Sequence, residues 1–357
     1  NIYCGDCFVF EKVVENSHKP TVAFLNPPYD VGNARQMEFI EHALNAVSPQ
    51  NGRVVAIVQM SCAIKNEKEL IAVKKRILEK HHLKAVLSMP DELFNPTASV
   101  VSCVMIFEAN KVHQGRKTWF GYFKEDGFEK RKQRGRIDAR GRWQIVKHKW
   151  LSAYHNFDEI AGLSVKQEVK GDDEWCAEAY METDYSTLNQ TIIERKIKDY
   201  CAYKFLSDTK IKIVSLPEIR DFVIDKMQLV KLTDIFDIKQ GKSLELINCE
   251  EYEDGFCFIS RTSTNNGIAA RVKELDYLEP MSAGAITVAL SGSVLSSFYQ
   301  EEPFYTAFHI ACLYPKIELT QEEMLFYCAI IEHNKYRYNF GRQANKTLKH
   351  ILVPQIK

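Results

Sequence analysis

The run RVVAIVQM, Arg53 to Met60, carries apolar side chains at consecutive positions, without the in-and-out alternation of a half-exposed strand. Such a segment is buried on both faces, and helices must supply the cover. The flanking sequence provides them. In ARQMEFIEHALNAV, Met37, Ile40, Ala43, Leu44 and Val47 fall at helical spacing, and in EKELIAVKKRILEKHH, Leu70, Val73, Ile77 and Leu78 do the same. TVAFLN precedes the first helix, the turn residues SPQNG follow it, and LKAVLSMP and SVVSCVMIFE come after the second. This β-α-β-α-β order with strands that do not alternate predicts an α/β fold, a parallel doubly wound sheet over residues 1–110.

Beyond residue 110 the texture changes twice. Lys111 to Gly171 is polar and dotted with glycine, and GRKTWFGYFKEDGF resembles a hairpin. STLNQTIIERKIKDYCAYKFL reads as a helix with Ser186 as its N-cap. From Leu229, short β-like runs (FCFIS, AITVAL, SSFYQ, IACLYP) alternate with Gly/Ser/Asn turns, and a helix with a Thr cap and an acidic first turn follows at TQEEMLFYCAIIEHNKYRY. The expected organisation is a catalytic domain over 1–171, a helical linker over 172–225 and a smaller α/β domain over 226–357.

Formal net charge is zero, yet the charges are unevenly spread. Lys111 to Trp150 holds 13 Lys/Arg against 4 Asp/Glu, and His333 to Lys357 holds 6 Lys/Arg and no acid. Blocks of this kind suit phosphate contacts or a plain solvated surface. No run of 18 apolar residues exists, so no membrane span is expected. The ten scattered cysteines point to reduced thiols and a cytoplasmic setting. Cys4 and Cys7 have C-x-x-C spacing, but no second pair matches it, and no metal is expected.

One stretch suits a specific chemistry. Asn26-Pro27-Pro28-Tyr29 sits where the first strand ends, and ligands of open α/β sheets bind outside the carboxyl ends of strands. The exocyclic amine of adenine is a weak nucleophile because its lone pair is delocalised into the ring. The Asn26 side-chain oxygen and the Pro27 carbonyl are each suited to accept one amine hydrogen, which localises that pair. The prolines fix φ and restrain the residues before them, so the acceptors are held in advance. Tyr29 offers a flat face for stacking, and Phe94, in ELFNPTASV, is a candidate second aromatic. An adenine in a duplex would have to be flipped out to reach such a site. The plain alternatives are a rigid turn at 26–29 and a core residue at Phe94.

These residues resemble the catalytic part of the N6-adenine DNA methyltransferases, in particular the modification subunits of type I-like restriction-modification systems. The resemblance rests on NPPY together with IYCGDCF, GRVVAIVQMS, LKAVLSMPDELF and NPTASVVSCVMIF. It implies a partial Rossmann-like methyltransferase sheet and S-adenosylmethionine as cofactor, with Asp6 contacting the cofactor's adenine and Cys4 and Cys7 as incidental neighbours. No G-x-G precedes Asn26. The family's glycine-rich cofactor loop is therefore expected in another part of a longer polypeptide, and cofactor binding by this stretch alone is not expected.

Residues 226–357 resemble the target-recognition domain of type I specificity subunits, through LVKLTDIFDIKQGKSL, FCFISRTSTNNGIAARV, GAITVALSGSVLSSFYQEEPFYTAFHIACLYP and KYRYNFGRQANKTLKHILVPQ. Double-stranded DNA is then the expected partner, alongside other restriction-modification subunits or a second copy. Arg261, Asn265 and Asn266 lie in a polar loop, and Arg and Asn suit guanine and adenine in the major groove. A turn built from Asn and Gly is the alternative. Arg342, Lys346, Lys349 and Lys242 are candidate phosphate contacts, or a solvated helix end. Three function classes follow: site-specific adenine-N6 methylation of DNA, a DNA-binding specificity module without methyltransferase activity, and an amine methyltransferase acting on protein glutamine or RNA. The recognition-like module argues against the third. No nuclease constellation and no Walker-type phosphate loop is evident.

Overall fold

The computed structural model describes residues 4–9, 19–94, 99–131, 135–207, 227–338, 342–345 and 347–356. The chain divides into two compact units, Asn1–Glu182 and Thr183–Lys357.

In the first unit the elements are β1 (Val22–Leu25), α1 (Asn33–Ala46), β2 (Arg53–Gln59), α2 (Lys68–Lys80), β3 (His82–Ser88), β4 (Ser102–Glu108), β5 (Thr118–Tyr122), α3 (Trp143–Asn156) and β6 (Ser164–Gln167). They build a six-stranded sheet in the order β1-β2-β4-β3-β5-β6. The apolar run that announced the fold lies inside it, with Val54, Ala56 and Val58 fully buried. The predicted helical faces are the buried ones: Met37, Ile40 and Leu44 on α1, and Leu70, Val73, Ile77 and Leu78 on α2. Each such side chain contributes about 1.5–3 kcal/mol of burial. Helix α1 stops at Val47, which is extended. Gly52 closes the turn that follows, where a Cβ would stand 2.3 Å from the Ser48 carbonyl oxygen.

The sheet is mixed rather than wholly parallel. β1 and β2 are parallel and so are β3 and β5, but β4 enters between β2 and β3 antiparallel to both. Of the run, Val54, Ala56 and Val58 on one face are fully buried and Val55 and Ile57 on the other are half-buried, and an apolar run is blind to strand direction. No helix separates β3 from β4 in the described residues, so the chain returns antiparallel. The expected hairpin at 115–128 is also replaced. β5 is claimed by β3 and β6, and the small hairpin is instead Glu129–Arg131 with Gly135–Ile137. β1 is an edge strand with Val22 and Phe24 more than half exposed.

In the second unit, α4 (Gln190–Ser207) is followed by β7 (Phe236–Gln240), β8 (Glu251–Ile259), β9 (Ile268–Val272), β10 (Ala285–Ala289), β11 (Ser297–Gln300), β12 (Phe304–Thr306), β13 (Ile310–Pro315) and α5 (Gln321–His333). One sheet is antiparallel, β7-β13-β10-β11, and a smaller one runs β9-β8-β12. α5 is apolar almost all round and buries every residue from Met324 to Ile331. Its start is fixed by a reciprocal capping box between Thr320 and Glu323.

Two details depart from the sequence reading. Ile193, Ile197 and Tyr200 of α4 join the buried cluster that holds α5, so this helix belongs to the second unit's core instead of bridging two domains. Ser186 lies in a preceding 3-10 turn capped by Asp184, and α4 begins only at Gln190. Among the described residues no helix is long and apolar enough to cross a membrane.

Candidate active site and nucleic-acid interface

β1 ends at Leu25, opposite Ala56, while β2 runs on to Gln59. The Asn26-Pro27-Pro28-Tyr29 corner therefore emerges beside the last turn of its neighbour. Asn26 and Pro28 are exposed and Pro27 is buried. Pro28, at φ −56° and ψ 138°, is the extended entry to a 3-10 turn, Tyr29–Val31. Gly32, at φ +81°, then reverses the chain into α1, a conformation that a side chain would strain.

Polar side chains lock this corner to the sheet. Gln36, fully buried on α1, donates from Nε2 to Gln59 Oε1 (3.0 Å) and accepts from the Gln59 N–H (3.2 Å). Asn33 donates from Nδ2 to both carboxylate oxygens of Glu67 (3.2 Å each) and accepts from Ser61 Oγ (2.5 Å). The bond from Asn33, aided by Lys65, holds the Glu67 carboxyl below its usual range. These residues went unnoticed in the sequence. The available signal was a glutamine placed in register with the buried residues of α1, facing another at the end of an apolar strand.

Tyr29 and Phe94 come together although 65 positions separate them in the chain. Their ring centroids are 6.2 Å apart at an interplanar angle of 60°. The Tyr29 hydroxyl is buried without a hydrogen-bond partner. Burial pushes its pKa up, and the adjacent Asn26 side chain offsets part of that shift. Phe94 ends a tight turn in which the Leu93 N–H donates to the Pro90 carbonyl (3.2 Å). Two lysines of the basic segment hold this turn: Lys124 on Asp91 at 2.5 Å and Lys130 on Glu92 at 3.2 Å.

Asp6 is exposed, and its Oδ1 accepts from the Phe8 N–H (3.0 Å). Phe8 fixes this segment on α1, 4.7 Å from Phe39 and beneath the Arg35 guanidinium at 3.9 Å. Cys4 and Cys7 are exposed free thiols. Burial, followed by the Asp6 charge, pushes the Cys7 thiol up, which disfavours the reactive thiolate. Among the described residues no group of three or more His, Cys, Asp or Glu side chains is arranged to hold a metal ion.

In the second unit the candidate DNA contacts separate by environment. Arg261 is exposed at its loop and donates to Ser291 Oγ (3.1 Å). Lys349 is exposed beside a cleft of about 420 Å³ that Lys239, Gln240 and Asn345 also line. Lys242 is half-buried, its N–H bonded to Thr306 Oγ1 at 2.7 Å. Three of the expected residues have other work. Asn266 is buried at φ +50° and donates to the Tyr299 carbonyl (3.0 Å). Asn265, also at φ +50°, donates to the Ile268 carbonyl (3.0 Å). The Asn265 amide thus closes the turn on its own backbone, asparagine tolerating the left-handed region, while the Asn266 amide ties the turn to β11. Arg342 is 9% exposed and folds back onto the Arg337 carbonyl, so its guanidinium is withdrawn from a phosphate surface. Lys346 lies outside the described residues.

Comparison with known proteins gives two family matches. The family described as N-6 DNA Methylase matches residues 11–189, and the one described as Type I restriction modification DNA specificity domain matches residues 224–354. The type II restriction enzyme and methyltransferase RM.BcgI of Heyndrickxia coagulans is 25% identical over 212 residues, 57% of this chain and 33% of that protein. The specificity subunit S.BcgI of the same organism is 28% identical over 128 residues, 34% of this chain and 37% of that one. The chain thus spans about a third of the length of the curated relatives it matches. Among solved structures, the type I methyltransferase subunit of Streptococcus thermophilus is 18% identical with a TM-score of 0.34, over 42% of this chain and 34% of that one.

Proposed function

We propose, from the premise that the chain belongs to the N-6 DNA Methylase family, that its first unit carries the catalytic corner for methylating adenine N6 in DNA and its second unit selects the site. The observation that carries this reading is the corner itself: Asn26 exposed at the carboxyl end of β1, with Tyr29 turned onto Phe94.

The Asn26 side-chain oxygen and the Pro27 carbonyl accept the two hydrogens of the adenine amine, localise its lone pair and aim it. Their positions are set before the base arrives, by proline geometry and by the Gln36–Gln59 and Asn33–Glu67 bonds. Tyr29 and Phe94 hold the ring of the flipped base. S-adenosylmethionine, when bound, supplies an electrophilic methyl group. Asp6 fits a role in holding it, being an exposed carboxylate on a segment anchored to α1. The buried Tyr29 hydroxyl, beside Asn26 but without a well-formed hydrogen bond, also fits a site that a ligand completes.

For the second unit, Arg261 and Lys349 have the exposure that DNA contact needs, with Lys242 as a weaker candidate. The relative RM.BcgI is a type II restriction enzyme and methyltransferase, which supports placing this chain in a restriction-modification system. Other subunits of that system, or a second copy of the chain, are the protein partners that follow. The family match favours DNA over protein glutamine or RNA as substrate.

The test is labelled-methyl incorporation into DNA by the complete enzyme carrying Asn26→Ala. Loss of transfer with duplex binding retained is expected, and full activity would sink the assignment. Calorimetry with S-adenosylmethionine separates a methyltransferase from a specificity module that only binds DNA.

A further inference from the structure

The turn that presents Phe94 to Tyr29 has a second side. Leu93, the preceding residue, lines a cleft of about 450 Å³ together with Met89, Pro90, Phe128, Trp143 and Trp150. Asp126 and Arg136 complete the lining, joined by two parallel hydrogen bonds of 2.8 and 2.9 Å. The volume is in the range of small-ligand sites, and the wall is aromatic with a fixed polar pair.

The rings of this wall pack on one another. Trp150 is stacked on Phe123 at 4.5 Å and 1°. Trp143 is met by Phe128 at 69° and by Trp150 at 84°. Among the described residues it therefore has no parallel stacking partner, although it is only half-buried. The surroundings are cationic. Of the four acids between Lys111 and Trp150, three are already engaged: Asp126 by Arg136, Glu129 by Arg131 and Arg140, and Asp138 by the backbone N–H groups of Arg142 and Trp143. Lys147 and Lys149 of α3 stand exposed. An aromatic wall beside the exposed lysines of α3 suits one polymer, a nucleic-acid strand that stacks a base and lays its phosphates on lysines.

We infer that this cleft is a second nucleobase site, taking a base of the target DNA near the flipped adenine by stacking on Trp143. The inference rests on the adenine methylation reading for the identity of the strand, and on the cleft alone for stacking. The turn Pro90–Phe94 then separates two bases, with Phe94 on the flipped adenine and Leu93 against its neighbour.

The test uses the complete enzyme and oligonucleotides, both duplex and single-stranded, followed by tryptophan quenching and binding isotherms. Quenching on DNA addition is expected, with affinity reduced about ten-fold by Trp143→Leu, which keeps an apolar side chain but has no π face. Trp143→Phe should recover most of that loss. Unchanged affinity in Trp143→Leu, or no quenching in the wild type, overturns the inference. Methyl transfer reports the other reading independently. Quenching that depends on Trp143 without methylation leaves the cleft standing and removes the adenine assignment. Methylation with unchanged Trp143→Leu affinity does the reverse.

Discussion

The rings of Tyr29 and Phe94 meet edge to face at 6.2 Å, joining the end of β1 to the turn after β3. An adenine held here would lie on the face of one ring and against the edge of the other. Removing either ring should therefore cost binding of the flipped base, about ten-fold or more in kcat/KM for Tyr29→Ala and for Phe94→Ala. Tyr29→Phe keeps the face and discards a buried hydroxyl that makes no well-formed hydrogen bond and has the Asn26 side chain beside it. It should stay within about threefold of wild type and leave thermal stability level or slightly higher. Methylation kinetics and a melting curve on the three variants check this. A large loss in Tyr29→Phe would mean that the hydroxyl touches the substrate.

Lys74 is a lysine inside a core. It is 1% exposed, donates to the carbonyls of Ala63 (3.2 Å) and Asp173 (3.0 Å), and lies over the Trp175 ring at 4.4 Å. Burial lowers its pKa to about 8, against 10.5 ordinarily. Between those values the unfolded chain binds the proton and the folded one does not, so this residue makes stability rise with pH across the window. The span corresponds to about 3 kcal/mol. In urea titrations from pH 7 to 10.5, subtracting Lys74→Met from wild type should isolate that slope. A flat difference would show that Lys74 is charged in the fold at all these pH values.

The same residue marks what the sequence did and did not disclose. On α2 the spacing of Leu70, Val73, Ile77 and Leu78 foretold the buried face, and nothing in that spacing distinguished Lys74 beside it from a solvated lysine. Its partners are carbonyls at positions 63 and 173, which only the folded chain brings near. β4 teaches the same lesson: its apolar run announced a buried strand, while its direction was set by the connection that leads into it. The corner at 26–29 could be proposed from the sequence because its four residues are consecutive. Asn266 and Arg342 each carried two readings because asparagine and arginine serve turns and buried carbonyls as readily as bases and phosphates, and their burial and bonds favour the structural one.

Acid should loosen the first unit through its histidines. His82 and His113 stack with their Nδ1 atoms 3.0 Å apart, a contact that needs one N–H and one lone pair. His81 accepts the Asn110 N–H through Nδ1 (3.0 Å). Burial lowers the pKa of His81 and of His82 to about 4 and depresses that of His113. Below the ordinary value of 6.5 the unfolded chain takes up protons that the fold refuses, so stability present at neutral pH is lost as pH falls from 6.5 towards 4. At pH 5 His81 and His82 can each contribute up to roughly 2 kcal/mol of that loss. Urea denaturation at pH 7 and pH 5 should show it, and His113→Asn should lessen the difference. Equal stability at both pH values would rule the effect out.

The two arginines of the second unit should fail in different ways. Arg261 is exposed, and its guanidinium donates to Ser291 Oγ. Arg342 is buried against Tyr338, its guanidinium 5.5 Å from that ring, and is bonded to the Arg337 carbonyl. Arg261→Ala should therefore weaken duplex binding, by about 1–3 kcal/mol if it reads a base, and leave the melting temperature almost unmoved. Arg342→Ala should lower stability by about 1–3 kcal/mol, since it strands a buried carbonyl, and leave the salt dependence of binding as it was. Lys349→Ala, at an exposed phosphate candidate, should reduce the salt slope by about 1. Fluorescence anisotropy at several salt concentrations, paired with melting curves, sorts the three. A stability loss in Arg261→Ala, or a changed salt slope in Arg342→Ala, would reverse their assignments, because a guanidinium that holds the fold together is not free to be exchanged between protein and DNA.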